Sequence, residues 1–167
     1  SNNYSYDLNG RLISDVHDGV TSIKWSKSDK VLEVHKPNGV LTIKYNALDQ
    51  KVSQSTSRND SIVTEYFVYD PSGNVLASYG DTIKVQNFNV ISHKFSLHQL
   101  TIYGSSRIGL VEVDSLLWKD GVSNVVVSNV YSQKLGLKRY ELSNHLGNVS
   151  TVITDRKLIQ GNGQNAV

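Results

Sequence analysis

Apolar and polar side chains alternate in short runs along the first half of the chain. In the run from Val40 to Tyr45, Leu41, Ile43 and Tyr45 share one face while Val40, Thr42 and Lys44 share the other. Ile23 and Trp25 oppose Ser22 and Lys24, and Leu32 and Val34 oppose Glu33 and His35. A period of two predicts half-buried strands with one greasy face and one mixed face. No helical spacing competes, and the continuous apolar patch Val125 to Val127 is too short and too β-branched for a helix. Thr82 to Gln86 alternates well, after which the beat is lost. Ile108 to Trp118 therefore reads as a longer loop lying across the ribbon, with Leu110, Val111, Val113, Leu116, Leu117 and Trp118 closing the apolar face.

Turn formers recur on a nearly fixed schedule: Asn9-Gly10, Asp18-Gly19, Ser28-Asp29, Asn38-Gly39, Leu48-Asp49, Asn59-Asp60 and Ser72-Gly73. About ten residues separate successive reversals, room for one strand of six to eight residues and a tight connection. That is a meander, and Gly, Asn and Asp suit the positive φ that primed hairpin turns require. An aromatic residue precedes every second turn. Tyr6, Trp25, Tyr45 and Tyr69 each stand four residues ahead of Gly10, Asp29, Asp49 and Gly73, which defines a two-strand unit of about 20 residues. Their regular place reads as packing, the alternative being an exposed aromatic ladder, with Tyr131 in the same row, that binds sugar.

Composition agrees with strands. Val, Ile and Thr number 39, against 3 Ala and 4 Glu, and 22 Ser with 15 Asn supply turns. The 167 residues suit one continuous domain, expected to hold ten to fourteen strands. A net charge of +2 offers no basic stripe for a phosphate backbone, so no nucleic-acid partner is expected. No apolar run is long enough for a membrane-spanning helix. With no cysteine, thiolate chemistry and Cys-ligated metals are excluded. With no methionine and no leader, the chain reads as an excised or processed piece.

The tract Tyr4-Ser5-Tyr6-Asp7-Leu8-Asn9-Gly10-Arg11-Leu12 and its echo Tyr69-Asp70-Pro71-Ser72-Gly73-Asn74-Val75-Leu76 resemble the YD repeat of the Rhs and YD-repeat families. Trp25 to Val31 and Tyr45 to Val52 are degenerate copies, with Ser or Asn in place of the first Asp and Asp in place of the turn Gly. Further on, Ile102 to Gly109 and Lys138 to Val149 resemble the bacterial Rhs repeat-associated core, the second through Tyr140 and the His145-Leu146-Gly147-Asn148-Val149 run, continued by Thr154-Asp155. The resemblance divides the chain into YD-like hairpins over 1–79, a less regular β segment with an insertion over 80–135, a core-proximal repeat over 136–157 and a flexible tail over 158–167. It implies a β-ribbon coiled into a shell around a C-terminal effector, in a secreted or cell-surface bacterial protein. On this resemblance the repeat positions Tyr6, Asp7, Gly10, Trp25, Tyr45, Tyr69, Asp70, Gly73, Tyr140, His145, Gly147 and Asn148 are structural. Asp70-Pro71-Ser72-Gly73 is spelled like the family's self-cleavage sequence but lies inside a repeat turn, and reads as a Pro-initiated reversal.

Candidate chemistry is sparse. His17, His35, His93, His98 and His145 are scattered, and His93 and His98, five apart on a strand, point to opposite faces. His145 reads as a hydrogen-bonding member of the Asn144 to Asn148 reversal. Asp7, Asp18, Asp29, Asp49, Asp60, Asp70 and Asp120 flank turns, where carboxylates cap N–H groups. No serine-hydrolase elbow or phosphate loop occurs. The expectation is an all-β antiparallel meander of hairpins forming a twisted, curved sheet, an arc of a shell. Its expected work is structural and non-enzymatic, without cofactor or metal. The partners implied are the flanking repeats and effector of the parent chain, with self-association through raw edge strands. The alternative is a surface module that binds carbohydrate or a host protein.

Overall fold

The computed structural model describes residues 3–87, 89–120, 135–144 and 146–156. They form twelve strands: β1 (Tyr4–Tyr6), β2 (Leu12–Asp15), β3 (Ser22–Trp25), β4 (Val31–Lys36), β5 (Gly39–Tyr45), β6 (Lys51–Arg58), β7 (Ser61–Tyr69), β8 (Val75–Gln86), β9 (Asn89–Tyr103), β10 (Arg107–Lys119), β11 (Lys138–Ser143) and β12 (Val149–Thr154). Strands β3 to β12 lie in chain order in one ten-stranded antiparallel sheet, and β1 pairs with β2 beside it. The sheet is an open meander, not closed into a barrel. Asp15 and Val20 bridge across the β2–β3 reversal, and the indole Nε1 of Trp25 donates to the Leu12 carbonyl at 2.9 Å, so the β1–β2 hairpin continues the row.

Two expectations are corrected. Ile108 to Trp118 does not form a loop across the ribbon; it lies within β10, paired along its length with β9. The β9–β10 ladder shifts register at Arg107/Gly109, Glu112/Ser115 and Leu116/Trp118, and Asp114 takes a positive φ of 43°. Each bulge flips the alternation, so the period of two is lost from the sequence while the pairing survives. The second correction concerns the greasy face, which changes sides. Ile23, Val34 and Leu41 are direct neighbours on one face of β3 to β5. Across β7 to β10 the apolar rows are Tyr66, Tyr79, Leu97 and Ser115, and Val68, Ala77, Leu100 and Val111. The first row continues from Ser53 of β6, which faces Tyr66, hence from the face of Thr42 and Lys44, opposite to that of Leu41. The crossover occurs at β6, whose Ser53, Gln54, Ser55, Thr56 and Ser57 are polar on both sides.

Packing is thin because the sheet is a single layer. Among the described residues only Ala77 and Leu97 are buried apolar side chains, and Tyr66, Val68 and Trp118 are about 40% exposed on the apolar face of β7 to β10. Rings gather there nonetheless. Tyr79 stacks on Phe95 with centroids 5.6 Å apart, Tyr66 leans on Phe95, and His93 meets the edge of Trp118 at 4.5 Å. On the other face the His98 ring lies against Gly80, where a Cβ would collide with it.

Candidate functional surface: a row of capped turns and its aromatic ladder

All the turns that follow odd-numbered strands fall at one end of the sheet, and five of them share one geometry. In the first, the Gly10 N–H donates to the Asp7 carbonyl at 3.0 Å and the Asp7 N–H to the Arg11 carbonyl at 2.9 Å. The same pair of bonds recurs at Ser26–Lys30, Asn46–Gln50, Asp70–Asn74 and Asn144–Asn148. Each is a three-residue loop closed by a left-handed residue: Gly10 (φ 77°), Asp29 (56°), Asp49 (57°), Gly73 (89°) and Gly147 (83°). This is the turn-plus-bulge solution in place of the expected primed turn, and it shifts the strand register next to every one of these loops.

The first residue of each loop explains the choice. Oδ1 of Asp7 accepts from the N–H groups of Asn9 and Arg11, both at 2.9 Å. Ser26 Oγ, Asn46 Oδ1, Asp70 Oδ1 and Asn144 Oδ1 accept from the residues two and four further on in the same way. A side-chain acceptor here satisfies two N–H groups that a loop cannot pair with backbone, which is why only Asp, Asn or Ser occupies the place. The backbone N–H of Arg11, helped by its guanidinium and by the Asn9 N–H, holds the Asp7 carboxyl below the usual carboxylate range. The Asn74 side-chain amide and the N–H groups of Asn74 and Ser72 do the same for Asp70. Asp29 and Asp49 are not caps. They fill the left-handed place, and their carboxylates accept from the neighbouring turns: Arg11 reaches Asp29 at 2.9 Å and Ser28 Oγ donates to Asp49 at 3.2 Å.

Behind the turns stands a ladder. Trp25 Nε1 donates to the Leu12 carbonyl at 2.9 Å, Tyr45 OH to Val31 at 3.1 Å, Tyr69 OH to Lys51 at 2.8 Å and Tyr103 OH to Val75 at 3.0 Å. Leu12, Val31, Lys51 and Val75 each stand two residues past a left-handed turn residue, so every ring ties its own unit to the start of the preceding unit's returning strand. Burial pushes the Tyr69 phenol upward from its ordinary value, which keeps the donor protonated. Trp25, Tyr45 and Tyr69 are half-buried, while Tyr6, at the head of the row, is 59% exposed. Tyr131 and His145 lie outside the described residues.

Tyr103 carries the fourth rung although the 20-residue spacing passes it over. The signal was local: an aromatic at the end of a strand, followed by Gly104. Conversely, Tyr140 is not the aromatic of the last turn. It sits opposite Gly109 and Ile153, and Ser143 holds the place next to the Asn144 loop, where Gly147 and Asn148 match Gly10 and Arg11. Gly109 accepts no side chain because the Arg139 carbonyl and the Tyr140 Cα occupy the place of its Cβ.

Several ionisable groups elsewhere are paired locally. Glu33 takes Lys24 at 2.8 Å and His35 at 2.6 Å, which hold its carboxyl below the ordinary range. His93 Nε2 lies 2.7 Å from Asp81. A cleft of about 710 Å³ between the Asp70 turn and the Gly104–Ser106 loop includes Asp70 and Arg107 in its lining. Asp70 is committed to its turn, and Arg107 pairs with Glu141 at 2.6 Å. Among the described residues no three His, Asp or Glu side chains converge as a metal site, and no helix is long and apolar enough to cross a membrane. No protein-family model matches the chain, and no curated protein matches it.

Proposed function

We propose that the chain is a stretch of structural β-ribbon of the YD-repeat kind, a non-enzymatic wall that encloses or presents an effector in a secreted or surface-attached bacterial protein. The observation that supports this is the ladder from Trp25 to Tyr103, which joins each unit to its predecessor by the same bond and so lets a sheet grow by repetition. The single layer supports it too, since a wall needs continuous pairing and two usable faces more than a thick core. Trp25, Tyr45 and Tyr69 are half-buried and their ring donors are committed to backbone carbonyls, which supports a packing role for these rings over a sugar-binding one.

Electron microscopy of the product of the complete reading frame, with limited proteolysis, tests the proposal. A hollow particle of ribbon with a protease-protected interior is expected. A solid particle, a chain cut throughout, or micromolar binding to a glycan panel with quenching of tryptophan fluorescence would replace it with the binding-module reading.

A further inference from the structure

Among the described residues the ladder has two unfilled ends that complement each other. At its head, Tyr6 occupies the unit position of Trp25, Tyr45 and Tyr69, yet among the described residues its hydroxyl meets no acceptor, and the outer edge of β1 pairs with nothing. At the opposite end, Val149 stands two residues past left-handed Gly147, the acceptor position of Leu12, Val31, Lys51 and Val75. Strand β12, to which it belongs, has no outer neighbour among the described residues. All six residues of β12 are exposed, and its sequence Val-Ser-Thr-Val-Ile-Thr holds no lysine, no proline and four β-branched residues besides Val149. The register shift of β12 beside the Asn144 loop is the one that every capped loop shares, and among the described residues nothing else blunts this edge.

The internal rungs also dictate how such ends would meet. Glu33 faces Thr42, Ser53 faces Tyr66 and Ala77 faces Leu100. Extended to the turn, these registers set Val31 opposite Lys44, Lys51 opposite Val68 and Val75 opposite Ile102, so each ring lies one residue beyond the partner of its acceptor. We propose that copies of this chain join head to tail, β1 of one adding antiparallel to the free edge of β12 of another, with Ser5 opposite Val149 and the Tyr6 hydroxyl on the Val149 carbonyl. The joint uses two different surfaces and does not close on itself, so it builds open-ended oligomers. With only three residues in β1 it is a weak contact that shows at high protein concentration. The inference rests on the ladder and not on the shell reading, and it stands or falls with the isolated 167-residue chain.

Because the chain has no cysteine, disulfide trapping reads the register directly. Facing residues on antiparallel strands have Cα atoms about 4.5–5.5 Å apart, inside the disulfide range. Chains carrying Ser5→Cys are mixed with chains carrying Val149→Cys and oxidised; a mixed dimer is the expected product, at least about tenfold above the yield with Thr151→Cys, which is two residues out of register. Mainly like-with-like dimers, equal trapping by Thr151→Cys, or monomer alone overturns the proposal. Without cross-linking, sedimentation velocity of the native chain is expected to show mass rising with concentration, Tyr6→Phe to weaken association about three- to tenfold, and Val152→Lys on the exposed edge to abolish it. A native chain that stays monomeric at millimolar concentration, or association unchanged by both substitutions, also overturns it.

Discussion

Removing the ladder's hydroxyls one at a time, and then together, weighs the structural argument. Tyr45→Phe, Tyr69→Phe and Tyr103→Phe each keep the ring and delete one bond, of 3.1, 2.8 and 3.0 Å. A hydrogen bond of this kind is worth about 1 kcal/mol net, more if the abandoned carbonyl stays dry. The three bonds join different strand pairs and share no partner, so their losses should add to about 3 kcal/mol in the triple variant. For a chain of this size that is a fall in melting temperature of about 6–12 °C. Against a domain stability of about 5–15 kcal/mol the triple variant still folds, which keeps the measurement interpretable. Urea unfolding gives the free energies, and amide exchange locates each loss to its own strand pair. Tyr66→Phe is the control. Its ring lies 39% exposed on the apolar face, outside the turn row, and it should change stability by less than about 0.5 kcal/mol. Single variants indistinguishable from the native chain, or a control as costly as the ladder substitutions, would refute the claim that these bonds hold unit to unit.

The turn row makes further predictions. Gly73→Ala places a side chain at φ 89° and should cost about 1–2 kcal/mol in thermal unfolding, whereas Asp49→Gly at φ 57° should gain up to about 1 kcal/mol less whatever its bond from Ser28 contributes. Gly80→Ala drives a Cβ into the His98 ring and should cost about 1–3 kcal/mol by overpacking, with His98→Ala in the same chain restoring most of it; a double variant no better than Gly80→Ala alone would remove His98 as the cause. Asp7 and Asp70 have folded-state carboxyls below the ordinary 3.8, so the folded chain binds fewer protons than the unfolded chain across that window. Their contribution is therefore complete above the ordinary carboxylate range and is lost as the pH falls through their lowered values. Denaturant midpoints measured from pH 6 down to pH 2 should flatten in Asp70→Asn, which keeps the acceptor and loses the titration.

The strand rhythm of residues 20–86 was legible because little interrupts it: the ladders there stay in register between turns apart from the shifts at Ser78/Tyr79 and Lys84/Val85, where β8 meets β9, and those beside the loops. The unit spacing was legible too, since Tyr6, Trp25, Tyr45 and Tyr69 all precede a residue able to go left-handed. What escaped was information that a linear period does not hold. Each bulge in β9–β10 inverts the inside–outside order, so Ile108 to Trp118 lost its alternation without losing its strand. The change of apolar face at β6 is invisible within any one strand, because each still alternates; only the cross-strand register shows that Leu41 and Tyr66 lie on opposite sides. Tyr103 escaped because β8 and β9, of 12 and 15 residues, stretch its unit well beyond 20. The caps at Ser26 and Asn46 looked like degenerate copies of Asp7, and chemically they are full ones, since the loop needs an acceptor oxygen and no charge.

A sheet with two buried apolar side chains among its described residues draws little of its stability from a core. Most of its apolar area is only half removed from water, and what holds it is repetition: strand pairing, five capped turns and four ring-to-backbone rungs, each modest and each local. Stability distributed in this way is set by nearest neighbours, so the outermost hairpins should open first and the middle last. It also responds strongly to whatever lies against the faces. Covering Tyr66, Val68 and Trp118 on one side, or Val34 and Leu41 on the other, would add about 25 cal/mol for each Å² of apolar surface withdrawn from water. Because the two patches face opposite ways, one partner on one side meets only one of them. Covering the remainder takes a contact on the far side as well, and the free energy of any contact made only by the folded sheet would add to its stability.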